Sequence, residues 1–196
     1  MSQATLIQQV TLVNEGQIQI TDVLIEGERI QKIGSIPAQD QYHLVDGRGK
    51  YLFPGVIDGQ VHFRDPGLTH KADLTSESKA AIAGGVTSFI EMPNTRPNTL
   101  TLELWADKYE LASTKSLANY GFLLGITADN LDEVIQWDTS KHLAITDDGL
   151  YFTGKGNILA DQPAMLEKLF AAHKGLIAIH SEKEEIIEKN EELYRE

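Results

Sequence analysis

From Tyr51 onward, short aliphatic and β-branched runs alternate with longer helical stretches, and this alternation constrains the fold more than any other feature of the chain. Parallel strands cannot be joined by tight turns, so a strand–helix–strand succession implies βαβ units and a parallel sheet. Strands are expected at Gly55–Phe63, Val86–Met92, Tyr120–Ile126, Leu143–Asp147 and Leu176–His180. Helices are expected between them at Leu74–Ala83, Leu102–Ser113, Leu131–Trp137 and Pro163–His173, with a Glu- and Lys-rich helix running to Glu196. Gly84-Gly85 suits a helix C-cap, and Pro163 sits where a missing N–H costs nothing. Upstream the pattern differs. Residues 6–10, 17–20, 21–25 and 29–33 read as short strands broken by turns at Asn14-Glu15-Gly16 and Glu26-Gly27-Glu28. Residues 1–52 are therefore expected to form a small all-β, β-sandwich-type module, and residues 53–196 an α/β unit.

Five parallel strands with four crossovers suggest a barrel that has not closed. A (β/α)8 barrel takes about 250 residues. Either the chain forms a smaller open sheet, or it is the front half of a larger protein. Charge narrows the partners: 29 acidic residues against 17 Lys and Arg give a net charge of -12. Nucleic-acid affinity rests on cations displacing counterions from phosphates, so nucleic acid and anionic membranes are poor expectations. No apolar run approaches the roughly 20 residues of a bilayer span, and Met1-Ser2-Gln3-Ala4 does not begin a signal peptide, so a cytoplasmic location is expected. With no Cys, any metal must be held by His, carboxylate or amide oxygen.

Functional groups in parallel α/β folds gather at the C-terminal ends of strands. Four such ends are polar here. In the first, alternation along the strand puts Gln60, His62 and Arg64 on one face. The others are Glu91-Met92-Pro93-Asn94-Thr95, Ile145-Thr146-Asp147-Asp148-Gly149 and Ile177-Ala178-Ile179-His180-Ser181-Glu182. Two imidazoles and a carboxylate from three strand ends would suit a divalent metal. Each also has a plainer role: Arg64 pairing with Asp65 or Asp58, Asn94 capping a turn beside Pro93 and Pro97, a His held by structural hydrogen bonds.

The stretch from Phe53 to Asn98 goes further. Pro54-Gly55-Val56-Ile57-Asp58, Val61-His62-Phe63-Arg64-Asp65-Pro66-Gly67, Ala83-Gly84-Gly85-Val86-Thr87 and Glu91-Met92-Pro93-Asn94-Thr95 resemble the dihydroorotases of the amidohydrolase superfamily, in order and at family spacing. The resemblance implies a fold in which a small β module lies beside a metal-bearing (β/α)8 barrel, with this chain as the first half. It also implies one or two Zn2+ ions, and hydrolysis of the ring amide of dihydroorotate or its reverse from N-carbamoyl-aspartate, in pyrimidine biosynthesis. The family's first strand ends in His-x-His-x-Arg; here Gln60 stands at the first His, His62 at the second, and Arg64 at the residue that binds the substrate carboxylate. Asn94 matches a substrate-binding residue and His180 a metal-binding His. Asp148 falls at the position that bridges two metals, with Asp147 the next candidate and Lys155 a loop residue. The family's general acid/base Asp and a further metal-binding His are expected beyond residue 196.

Two other readings stand beside this one. Hydantoinase-type amidohydrolases lack the strand-one Arg, since their substrates carry no carboxylate there. A non-catalytic, dihydroorotase-like scaffold for aspartate transcarbamoylase or another partner is suggested by Gln60 and Asp148. A homodimer is also expected, and the 196-residue chain alone is expected to be inactive. His43, His70, His142 and His173 match no ligand position, and Asp58 reads as structural.

Overall fold

The computed structural model describes residues 3–140, 144–150 and 162–195. The chain divides into two compact units, residues 1–55 and 56–196.

The first unit is built around β1 (Thr5–Asn14), which pairs antiparallel with β2 (Gln17–Glu26), itself antiparallel to β3 (Arg29–Gly34). On its other side β1 takes β4 (His43–Asp46) and then β5 (Tyr51–Leu52), both parallel. The two strands expected across residues 17–25 are thus one continuous strand. A bulge between Ile7 and Val10 lets β1 keep Leu6 and Val10 on its buried side, with the Gln9 N–H donating to Asp22 Oδ1 at 2.9 Å. Among the described residues this unit is one mixed five-stranded sheet, which corrects the β-sandwich-type reading. The reason is that β1 offers both of its edges, so every other strand joins the same layer directly or through β2.

The second unit runs β6 (Val56–Val61), α1 (Leu74–Ala83), β7 (Val86–Glu91), α2 (Leu102–Lys115), β8 (Asn119–Phe122), β9 (Leu124–Gly125), α3 (Leu131–Val134), β10 (Ala144–Thr146), α4 (Pro163–Ala172), β11 (Leu176–Ala178) and α5 (Glu184–Tyr194). All strand pairings are parallel, in the orders β6-β7-β8 and β9-β10-β11. This is the succession expected of the first five strands of a (β/α)8 barrel. The third expected strand is broken at Leu123: β8 pairs with β7, whereas β9 pairs with β10. There the Leu123 N–H follows β7 to the Glu91 carbonyl, while the Gly125 N–H turns to the Thr99 carbonyl. Residues Leu143, His142 and Lys155 lie outside the described residues.

Helix α1 begins where Asp73 accepts hydrogen bonds from the Thr75 and Ser76 N–H groups, both at 2.9 Å. Two apolar clusters hold the strands to the helices. Phe63, Leu74, Phe89, Ala112 and Phe122 pack under α1 and α2, and Leu124, Ile126, Val134, Ile145, Met165 and Leu169 under α3 and α4. Among the described residues no helix is long and apolar enough to cross a membrane.

Candidate functional site at the strand ends

The strand ends of β6, β7, β10 and β11 converge on a cavity of about 410 Å3, lined by Gln60, Met92, Thr146, Asp148, His180 and their neighbours. Asp148 is its centre. One carboxylate oxygen faces His180 Nδ1 at 3.0 Å; the other accepts from the Gln60 amide and lies 3.7 Å from His62 Nε2. His62 Nδ1 is 3.0 Å from Asn94 Oδ1, which links β6 to the loop after β7. The adjacent Asp147 is fully buried and is spent on the main chain, accepting from the His180 N–H at 2.7 Å. Asp148 and not Asp147 thus faces the cavity.

Burial pushes the Asp148 carboxyl up, but hydrogen bonds from His180 and Gln60, with the charges of the two imidazoles, outweigh it and leave the group below its ordinary value. His180 is held above its ordinary value by Asp148 and by Glu182, which lies 3.0 Å from its Nε2. Both ring nitrogens of His180 therefore face carboxylates. The sequence places Glu182 in a polar strand end but assigns it no role; its position two residues past a strand-end His is the signal that could have done so.

The recognition side is more deeply built. Arg64 adopts a left-handed backbone, φ 67°, and its N–H donates to Glu91 Oε1 at 3.0 Å. Its guanidinium reaches the Asn94 carbonyl at 3.5 Å. Asp65, one candidate partner for Arg64, is taken by Lys115 at 2.8 Å. Asp58 instead accepts from the Gln60 N–H at 3.1 Å. Asn94 is 1% exposed, and its Nδ2 donor has no hydrogen-bond partner among the described residues. Gly149, at φ 70°, lets the Asn94 amide approach: a Cβ there would sit 2.3 Å from Nδ2. Gly67 plays the same part below, since its Cβ would meet the Arg96 carbonyl at 2.2 Å.

Sequence reasoning also missed the support beneath these groups. Glu91 and Lys108 form an ion pair at 2.9 Å with side chains 0% and 2% exposed. Burial pushes the Glu91 carboxyl up and the Lys108 ammonium down, and their contact opposes both shifts.

The set Gln60, His62, Asp148 and His180 fits a divalent metal in the kind of donors it offers: two imidazoles, a carboxylate and an amide oxygen. Its members are bonded to one another, and among the described residues no three His or carboxylate groups are spaced around a common point.

Residues 49–189 match the family described as Dihydro-orotase-like. The dihydroorotase of Carboxydothermus hydrogenoformans is 37% identical over 143 residues, covering 71% of this chain and 33% of its own length. The dihydroorotase of Lactococcus lactis is 34% identical over 177 residues, covering 86% of this chain and 40% of its own length. An allantoinase of Desulfitobacterium hafniense is 38% identical over 114 residues, 58% of this chain and 25% of its own. Among solved structures, the L-hydantoinase of Arthrobacter aurescens superposes with a TM-score of 0.75 at 25% identity, covering 97% of this chain and 43% of that one. The chain thus spans well under half the length of these relatives.

Proposed function

The chain belongs to the dihydro-orotase-like family, within the cyclic amidohydrolases, and we propose that its full-length protein is a dihydroorotase, opening the ring of dihydroorotate to N-carbamoyl-aspartate and closing it in reverse. The observation that carries this reading is that Arg64, whose guanidinium donates to the Asn94 carbonyl, stands beside the buried Asn94 Nδ2 donor, which has no partner among the described residues. A ring bearing a carboxylate offers acceptors to a guanidinium and to an amide N–H alike. A guanidinium offers the planar two-pronged donor that carboxylate recognition favours, and hydantoinase substrates have no carboxylate to use it.

Ring opening adds a water oxygen to the amide carbonyl carbon, breaks the C–N bond and delivers a proton to the nitrogen. Arg64 and Asn94 bind and orient the ring through its polar edge. Asp148, held ionised by His180 and Gln60, keeps negative charge at the centre of the cavity. His62, Asp148 and His180, with the Gln60 amide, would hold Zn2+. When bound, the metal lowers the pKa of a coordinated water and polarises the amide carbonyl.

A second reading is favoured by one contact. The Gln60 amide caps Asp148 where the family has an imidazole, which supports a non-catalytic scaffold for a partner such as aspartate transcarbamoylase. Arg64→Ala separates the two. Loss of the desolvated charge pair should cost about 2–5 kcal/mol in transition-state binding, or roughly 30-fold to several thousand-fold in kcat/KM. Arg64→Lys should recover part of it. Ring-opening rates at matched metal content decide: equal activity in wild type and Arg64→Ala removes Arg64 from the site, and an inert wild type supports the scaffold.

A further inference from the structure

Arg64 hangs its guanidinium from a backbone that a non-glycine residue adopts only when its surroundings hold it there. Those surroundings are specific. The Arg64 N–H is taken by Glu91, the Arg64 carbonyl by the Leu68 N–H at 3.0 Å, and the Pro66 carbonyl by the Arg96 N–H at 3.0 Å. Behind Glu91 stands Lys108 of α2. Its ammonium pairs with the second Glu91 oxygen, donates to the Met92 carbonyl at 3.3 Å and lies 4.7 Å above the Phe122 ring. Seven residues on, two helical turns along α2, Lys115 takes Asp65, the residue after Arg64.

One helix therefore reaches both sides of the Arg64 backbone, and one ammonium touches both the carboxylate that holds Arg64 and a carbonyl two residues before Asn94. A buried ion pair stabilises a fold little better than an apolar pair of the same volume. Stability alone does not account for placing it here.

We propose that Glu91 and Lys108 are positioning residues that fix the Arg64 backbone and the Met92–Asn94 turn, and so aim the two substrate-binding side chains at the same carboxylate-bearing ring. This rests on the dihydroorotase reading above. Glu91 and Lys108 act through Arg64 and Asn94 and do not touch the substrate.

The test uses two double variants of the full-length protein. Glu91→Leu/Lys108→Met fills the space but leaves the Arg64 N–H without its acceptor; Glu91→Gln/Lys108→Met also removes both charges but keeps an amide oxygen for that N–H. The Leu/Met pair should raise KM for dihydroorotate about tenfold with kcat within about threefold of wild type, and the Gln/Met pair should return KM only part of the way, to about threefold above wild type, the remainder being the lost Lys108 contact to the Met92 carbonyl. In an Arg64→Ala background the Leu/Met pair should add less than it does in wild type, because only the Asn94 arm is left to disturb and groups acting through one another are not additive. Should the Leu/Met pair not fold, Glu91→Thr/Lys108→Met carries the same test. An unchanged KM, a loss confined to kcat, equal effects of the two double variants, or full additivity with Arg64→Ala overturns the positioning role. A wild type that opens other cyclic amides but not dihydroorotate overturns the dihydroorotase reading and this role with it.

Discussion

The two halves of the site are built in opposite ways. On the β6 and β7 side, Glu91, Asn94 and Lys108 are almost wholly buried, and a strained backbone is held by several hydrogen bonds. Past the end of β11, the His180 side chain is 38% exposed and its carboxylate partner Glu182 is 51% exposed. The difference teaches where rigidity is spent. A group that must aim at a planar ring needs its backbone fixed, because a small error in direction loses a two-pronged contact. Groups that exchange protons or a cation need water and room to change partners.

The largest effect should come from breaking the buried half. Lys108→Ala leaves the Glu91 charge buried without its partner and should destabilise the protein by about 3–5 kcal/mol, measured by urea unfolding. A loss no larger than that of an exposed pair would erase the contrast between the halves.

A smaller effect probes the seam between them. Gly149→Ala forces a Cβ against the Asn94 amide at a left-handed φ, and should cost about 1–3 kcal/mol while raising KM for dihydroorotate. If only stability falls, Asn94 is not where substrate binds.

The smallest effect belongs to the exposed half and depends on pH. In metal-free protein, His180 has a raised value in the folded state, so its contribution is fully present below its ordinary value of 6.5 and is lost as pH rises through the folded value. Asp148 has a lowered value, so its contribution is present above 3.8 and is lost as pH falls through the folded value. The gap in Tm between wild type and His180→Gln should therefore be widest between those limits and close at high pH. Because the imidazole is more than a third exposed, screening keeps the gap equivalent to less than about 1 kcal/mol. A gap that widens with pH would contradict the pairing with Asp148 and Glu182.

Local signals were legible where structure is local. Helix α1 occupies Leu74–Ala83 as its pattern and its Gly84-Gly85 stop indicate, and α2 starts at Leu102 as expected. Gln60 and His62 both approach Asp148, but β6 ends at Val61 and Arg64 is left-handed, so strand alternation does not extend to Arg64. The break at Leu123 was not legible, because it arises from a change of partner between β7 and β10, and a strand's own sequence does not state its partners. The single-layer module was hidden for a similar reason: strand pattern gives faces to bury but not which edges pair.

Lys108 marks the boundary most clearly. In the run Ala106-Asp107-Lys108-Tyr109-Glu110 it reads as an ordinary solvated helix lysine, and only packing of α2 over β7 carries it into the interior beside Glu91. The sequence by itself determined the strand–helix succession, the strand-end residues, and a family resemblance spread over motifs that are each short and contiguous. Tertiary structure decided which of Asp147 and Asp148 faces the cavity, which carboxylates claim His180, and what holds Arg64 in its left-handed turn. Apart from Glu182, two residues from His180, those outcomes depend on contacts such as Lys108 to Met92 and Gln60 to Asp148, 16 and 88 positions apart, whose distance in space no local periodicity encodes.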